Sequence, residues 1–376
     1  MTLLSPLTRK RFRSFRRIRR AWWSLLALVA IFVFCLCAEW VCPCDPRAVV
    51  DPASLEKYRR PTVERVYDVK AARFSVSEDG AVYDYEGPRE LLDACRARAK
   101  SGEGFAIDGY RARVTARDGY CRVFLEPVTP PAVKETIGPL AAVTYPFRPV
   151  KEHPFGIDAG GRDVYARVVH GLRISLLFGL ALALSGLFFG LVIGAIEGYF
   201  GGTTDILLQR FTEIWATVPF LYVMIFIGST VGRSFAVLLV CYAIFNWIAV
   251  SYYMRAEFLR LRSCAFVEAA KVQRLSALRI IFVHVLPNAL TPLITLFPFL
   301  LMGAIGSLAA LDFLGFGLPP MTPSCGELMQ EAQQFRFAWW LVLFPAAALF
   351  TVMLLTVFVG ESLRDAFDPR QKSKLE

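Results

Sequence analysis

Three catalytic signatures are missing from this sequence. There is no Gly-rich loop ending in Gly-Lys-Ser/Thr, no His-Glu-x-x-His and no Gly-x-Ser-x-Gly. P-loop nucleotide hydrolysis, zinc-protease chemistry and a hydrolase nucleophile elbow therefore have no carrier here. Histidine is scarce as well. His153, His170 and His284 are the whole set, widely separated and expected on different sides or at different depths, so no metal site is expected. Catalytic residues: none. Charge is absent from long stretches, which excludes the buried ionisable chains of proton-coupled carriers; within the apolar blocks only Glu39, near an end, intrudes.

What is present is apolar surface. At 55% hydrophobic and 20% charged over 376 residues, the chain is too apolar to bury itself in one soluble core. The surplus falls in blocks at Ala21–Cys42, 174–196, 214–232, 234–254, 289–311 and 337–360. Each is long enough for a helix to cross a bilayer. An all-α integral membrane protein with about six transmembrane helices follows. The first block exceeds a signal-peptide core and is followed by Ala-Glu-Trp-Val-Cys, not a small-residue cleavage site, so it is read as a retained span. Lipidation at Cys35 or Cys37 is not expected.

Basic residues set the orientation. Arg9 to Arg20, the segment from Arg255 to Arg279, and Arg364, Arg370, Lys372 and Lys374 all fall on one side if the N-terminus is cytoplasmic. The net charge of +10 then reads as topology, with N- and C-termini cytoplasmic, and calls for no nucleic acid. In the segment 1–20, Phe12, Phe15 and Ile18 recur among arginines ahead of Trp22 and Trp23. That pattern fits a basic amphipathic segment lying on anionic membrane lipid.

Residues 43–152 differ in kind. They are polar and turn-rich, with alternating runs at Arg111–Val114 and Cys121–Leu125 beside Asp118-Gly119 and Pro127. A small external α/β or mostly β insertion between helices 1 and 2 is expected. Cys95 with Cys121 is one of several disulfide pairings open to Cys42, Cys44, Cys95, Cys121 and Cys325. Cys42-Pro43-Cys44 carries no assigned role.

Residues 153–376 form the core. Gly186, Gly190, Gly194 and Gly198 recur every four residues along the second span, on one face, where small residues admit a second helix. Pro219, Pro292, Pro298 and Pro345 interrupt later spans. Asn246 either lines a pathway or bonds a neighbouring helix. Between spans four and five, 255–288 holds a short helix, Ala265 to Lys271, and a second one starting near Ser276, a good N-cap residue.

That segment, with Glu268, Ala269 and Ala270, then His284, Leu286 and Pro287 ahead of the next span, resembles the EAA loop of ABC-importer permeases. Asp158, Gly161, Arg162 and Asp163, then Asp205 and Arg210, then Gly315 and Gly317, and finally Gly360 to Pro369, resemble motifs of the family's oligopeptide/dipeptide "C" branch. The resemblance covers most of 150–370; with the enlarged external segment it extends to the microcin C/oligopeptide (Yej-type) group. It implies the type I ABC importer permease arrangement and a bacterial inner-membrane location. It implies a second, homologous permease in a heterodimer, two cytoplasmic ABC ATPase subunits that bind ATP-Mg, and an external substrate-binding protein or lipoprotein delivering peptide. No cofactor is expected in this chain. The EAA loop would couple ATP hydrolysis to alternating access. Two positions depart from the pattern: Arg274 stands where the loop has Gly, and Cys325 where the external motif has Trp. The other reading, a membrane-embedded enzyme or sensor with an external ligand-binding domain, lacks a nucleophile or ligand cluster.

Overall fold

The computed structural model describes residues 15–367, apart from 17, 42–43, 60, 68–71, 78–81, 87–92, 94, 97, 100, 102, 108–109, 118–119, 129–132 and 141. Most of the basic segment 1–20, Cys42 and the tail beyond Phe367 lie outside the described residues. The chain divides into two compact units, Met1–Ser54 with Thr144–Glu376, and Leu55–Val143.

The first unit is helical. Its main helices are α1 (Arg19–Leu36), α2 (Val164–Phe200), α3 (Gly202–Ala216), α4 (Phe220–Thr230), α5 (Phe235–Asn246), α6 (Ile248–Arg262), α7 (Ala265–Val272), α8 (Leu286–Phe313), α9 (Cys325–Gln334) and α10 (Trp340–Phe367). Among the described residues, five runs are long and apolar enough to cross a membrane: α1, α2, α5 with α6, the stretch Ala277–Phe313, and α10. The pair α3 and α4, bent by 67°, makes a sixth if it is one span.

The third block, 214–232, is therefore not one straight helix. Pro219 has no N–H to give and disfavours helical backbone in the residue before it. The chain accordingly breaks after Ala216 and restarts at Phe220 with Pro219 as N-cap. α2 differs the other way, beginning well before 174 and ending after 196. Asp163 caps it, accepting a hydrogen bond from the Ala166 amide at 3.0 Å. Its added turns bring Arg167, 1% exposed, and Glu197, fully buried, into the helix. The expectation that the spans bury no charge is corrected here: charge-free runs stop where charges begin, whereas a helix continues when its charges find polar surroundings.

The four glycines of the repeat in α2, Gly186, Gly190, Gly194 and Gly198, are all buried and all meet the chain of α5 and α6. A Cβ on Gly190 would lie 2.5 Å from Val250 Cβ and 2.8 Å from the Trp247 carbonyl. One on Gly194 would lie 2.5 Å from the Ser251 carbonyl, and one on Gly198 2.6 Å from that of Arg255. Gly186 meets the Asn246 side chain. Asn246 Nδ2 donates to the Leu182 carbonyl at 3.0 Å, so this side chain bonds the neighbouring helix. Around this seam Val250, Met254, Phe258 and Leu261 of α6 pack with Val267 and Ala270 of α7 and with Ile280, Ile281 and Val285.

Among its described residues the second unit carries seven strands: β1 (Pro61–Tyr67), β2 (Ala72–Ser77), β3 (Val82–Glu86), β4 (Phe105–Ile107), β5 (Tyr110–Arg117), β6 (Tyr120–Pro127) and β7 (Val133–Leu140). Five form an antiparallel sheet in the order β3-β2-β6-β5-β4, while β1 pairs with β7. The two alternating runs read from the sequence lie in β5 and β6, paired with Ala112 opposite Leu125 and Val114 opposite Val123. Ala112, Val123 and Leu125 are buried with Cys95 and Ala99. Cys121 is a half-buried free thiol, so the Cys95–Cys121 bridge is not formed.

Gly190→Leu should lower the unfolding temperature of the purified protein, because the overpacked seam costs roughly 1–3 kcal/mol or more. Phe188→Leu, on the exposed side of the same helix, should change it little. Equal unfolding temperatures for Gly190→Leu and the parent would remove the seam from the account of the fold.

Candidate functional site

At the N-terminal end of α2 the chain folds into a charged knot. Gly161, with φ of 78°, turns the loop in a conformation glycine adopts at little cost. Asp158 then accepts from the Arg162 amide at 2.7 Å and from Arg162 Nε at 2.8 Å. Arg167 also bonds Asp158 and reaches into α9, to Glu331 at 2.9 Å and Glu327 at 2.5 Å. Arg162 joins Glu331 at 3.2 Å. Two guanidiniums thus hold three carboxylates and tie the start of α2 to α9. Burial lifts the Glu327 carboxyl above its usual range, opposed by Arg167. Asp163 also contacts His153.

Asp312 closes α8 beside this knot. It accepts from the Leu318 amide at 2.7 Å and from Ser324 Oγ at 2.5 Å, and Ser324 caps α9. A Cβ on Gly317 would collide with the Asp312 carboxylate. Gly315, with φ of 78°, gives its carbonyl to Arg233 at 2.6 Å. Cys325, where the motif has Trp, is buried against α2: a Cβ on Gly171 would lie 3.1 Å from the Cys325 amide. Burial pushes its thiol up to about 12, which leaves it neutral and unreactive.

A second polar group lies at the C-terminal end of α2. Asp205 of α3 is held bidentately by Arg255 of α6, at 2.5 and 2.7 Å. Arg262 donates to the Tyr199 carbonyl at 3.5 Å. Glu197 accepts from Thr212 of α3 at 3.5 Å. Arg210 is not part of this group; it pairs with Glu213 on the exposed side of α3.

α7 follows α6 after a short turn. Val267 and Ala270 are buried, while Phe266, Glu268, Ala269, Lys271 and Val272 face outward, Val272 with 82% of its surface exposed. The helix ends in two bonds, from the Leu275 amide to the Ala270 carbonyl and from the Arg274 amide to the Lys271 carbonyl. That is the Schellman pattern, whose C′ residue is left-handed and usually Gly. Here Arg274 takes it, with φ of 55°. Ser276 caps the next turn, accepting from the Arg279 amide at 3.4 Å. His284 lies in the π turn Ile280–Val285, and Leu286 and Pro287 open α8.

Neither group holds a nucleophile beside a base, and among the described residues no cluster could hold a metal ion. The arrangement fastens helices to one another and presents an anchored, outward-facing α7. Residues 175–373 match the family of the binding-protein-dependent transport system inner membrane component. The chain belongs to this family. The permease is 34% identical to the peptidoglycan transport system permease protein YejE of Agrobacterium fabrum, over 98% of this chain and 94% of that one. It is 33% identical to the inner membrane ABC transporter permease protein YejE of Escherichia coli, over 99% of each. The dipeptide transport system permease protein DppC of Alkalihalophilus pseudofirmus is 38% identical, over 60% of this chain and 74% of its own. A solved MetNI methionine ABC transporter in inward facing conformation aligns with 53% of the permease and 95% of its own chain, at 16% identity and a TM-score of 0.45.

Several residues that build these groups escaped the sequence reading as site residues: Glu327 and Glu331 at one end, Glu197 and Arg255 at the other. Their signal was present in charges flanking the apolar blocks, but which carboxylate meets which guanidinium depends on helix packing.

Arg167→Met should destabilise the permease by about 3–5 kcal/mol, since it strands buried carboxylates; thermal unfolding in detergent reads the loss, and an unchanged transition would refute the knot. Arg274→Gly should raise stability by about 0.5–1 kcal/mol, relief of the left-handed strain exceeding the added unfolded-state freedom. A lower unfolding temperature would show that the Arg274 side chain has a compensating contact.

Proposed function

We propose that this permease carries peptides across the bacterial inner membrane as one half of a heterodimer with a second, homologous permease. Two cytoplasmic ABC ATPases drive alternating access, and an external binding protein or lipoprotein delivers the peptide. The observation that carries this reading is α7. It is anchored through Val267 and Ala270 to the α6 and α8 ends yet leaves Phe266, Glu268, Ala269 and Val272 uncovered. An exposed apolar and acidic face on a short, firmly seated helix suits a lever that docks against another subunit. The relatives' names support the substrate class, since they speak of peptidoglycan and dipeptide transport. The basic segments around Arg255 to Arg279 support cytoplasmic placement of α7 and of both termini.

Glu268 lies in the first turn of α7, where a carboxylate suits the helix dipole. Glu268→Lys reverses that charge on the docking face without touching the bundle. Membranes carrying this variant should hold normal amounts of permease, with uptake of a radiolabelled peptide hydrolysate reduced about tenfold or more through lost or uncoupled ATPase docking. Parent-level uptake with a normally assembled complex would sink the coupling role of α7.

A further inference from the structure

Glu197, at the junction of α2, α3 and α6, is a carboxylate that the contacts above leave half used. It is fully buried. One oxygen takes the long 3.5 Å bond from Thr212; the other has no partner. The Ser251 hydroxyl, also buried, faces it without reaching hydrogen-bond geometry. An uncompensated carboxylate in such surroundings is unfavourable, and a Gln or Leu would fill the same space between α2, α3 and α6.

The missing partner stands close by. The Arg255 guanidinium interacts electrostatically with Glu197 but spends Nε and Nη2 on Asp205, leaving Nη1 uncommitted among the described residues. Arg255 therefore lies between two carboxylates on two different helices, Asp205 on α3 and Glu197 on α2. It is carried by the helix whose backbone rests on Gly194 and Gly198. α6 also leads through two residues into α7, so any push on α7 arrives at Arg255.

We propose that Arg255 exchanges partners during the transport cycle, bound to Asp205 in the conformation described here and to Glu197 in the other state. Glu197 is thus a positioning residue that stabilises the second conformation. Two discrete acceptors for one guanidinium make the α2–α3–α6 junction two-state, which is what a switch driven from α7 requires. The inference rests on the alternating-access reading above.

The test uses the assembled transporter with its ATPases, carrying an Ala256→Cys reporter on the exposed side of α6. Two readouts are followed: maleimide labelling of the reporter, with and without ATP and vanadate, and ATP-driven uptake of a radiolabelled peptide hydrolysate. Glu197→Gln should leave assembly and unfolding temperature at or above the parent's, because it removes an unpaired buried charge. It should abolish the ATP-dependent change in labelling and reduce uptake about tenfold. Asp205→Asn should shift labelling toward the ATP-bound pattern before ATP is added. Parent-like labelling and uptake in Glu197→Gln would overturn the exchange. So would a loss that merely tracks a lower unfolding temperature, which assigns Glu197 a structural role. If the parent takes up no peptide yet its reporter responds to ATP, the substrate assignment fails, and the two variants' labelling still decides the exchange.

Discussion

The approach of α2 to α6 is the constraint on which the rest of this permease depends. Lipid tails are as apolar as leucine, so helices in a bilayer gain little by hiding apolar side chains from one another. They associate where surfaces fit, and here the fit is glycine against backbone from Gly186 to Gly198. Because the backbones nearly touch, polar side chains at the C-terminal end of this seam fall within reach of each other. The same closeness stiffens α6, and α7 inherits a firm base through Phe258, Leu261, Val267 and Ala270.

The two ends of α2 solve the problem of buried charge differently. At the N-terminal end nearly every charged group of the knot has several partners, and Arg167 serves Asp158, Glu327 and Glu331 together. Removing any member leaves others stranded, so the knot favours one geometry over all others. At the C-terminal end the bonds are fewer and unequal, with a bidentate pair beside a carboxylate of low occupancy. The first arrangement suits a fixed point and the second a moving one.

Much of this was legible in the sequence. Blocks of spanning length predicted the helices, the period of four placed the glycines on one face, and alternation located β5 and β6. Ser276 announced its cap, and the replacement of Gly by Arg at 274 pointed to the turn that proved left-handed. Pro219 marked the interruption of the third span, but a window of apolar residues hides the difference between a proline that kinks and one that ends a helix. The charges of α2 were hidden because hydropathy marks a span's limits by the first charge it meets. Whether Arg167 or Glu197 lies inside depends on residues far along the chain, such as Glu331 or Arg255, and no local pattern carries that information. The absence of the Cys95–Cys121 bridge has the same origin: spacing supplied candidates, and only the packing of Cys95 beneath the sheet decided.

One feature of the loop before α2 has a bearing on how such a chain can be built and altered. The Val50 amide donates to the Gly161 carbonyl at 2.7 Å, Val49 bridges Arg162, and the Tyr145 hydroxyl bonds the Val50 carbonyl. The segments on either side of Leu55–Val143 are therefore fastened to each other within the helical unit. Insertions, deletions or wholesale exchange within Leu55–Val143 leave these bonds in place, because both partners of each bond lie in the helical unit. The two units can then diverge in sequence at separate rates within a single polypeptide.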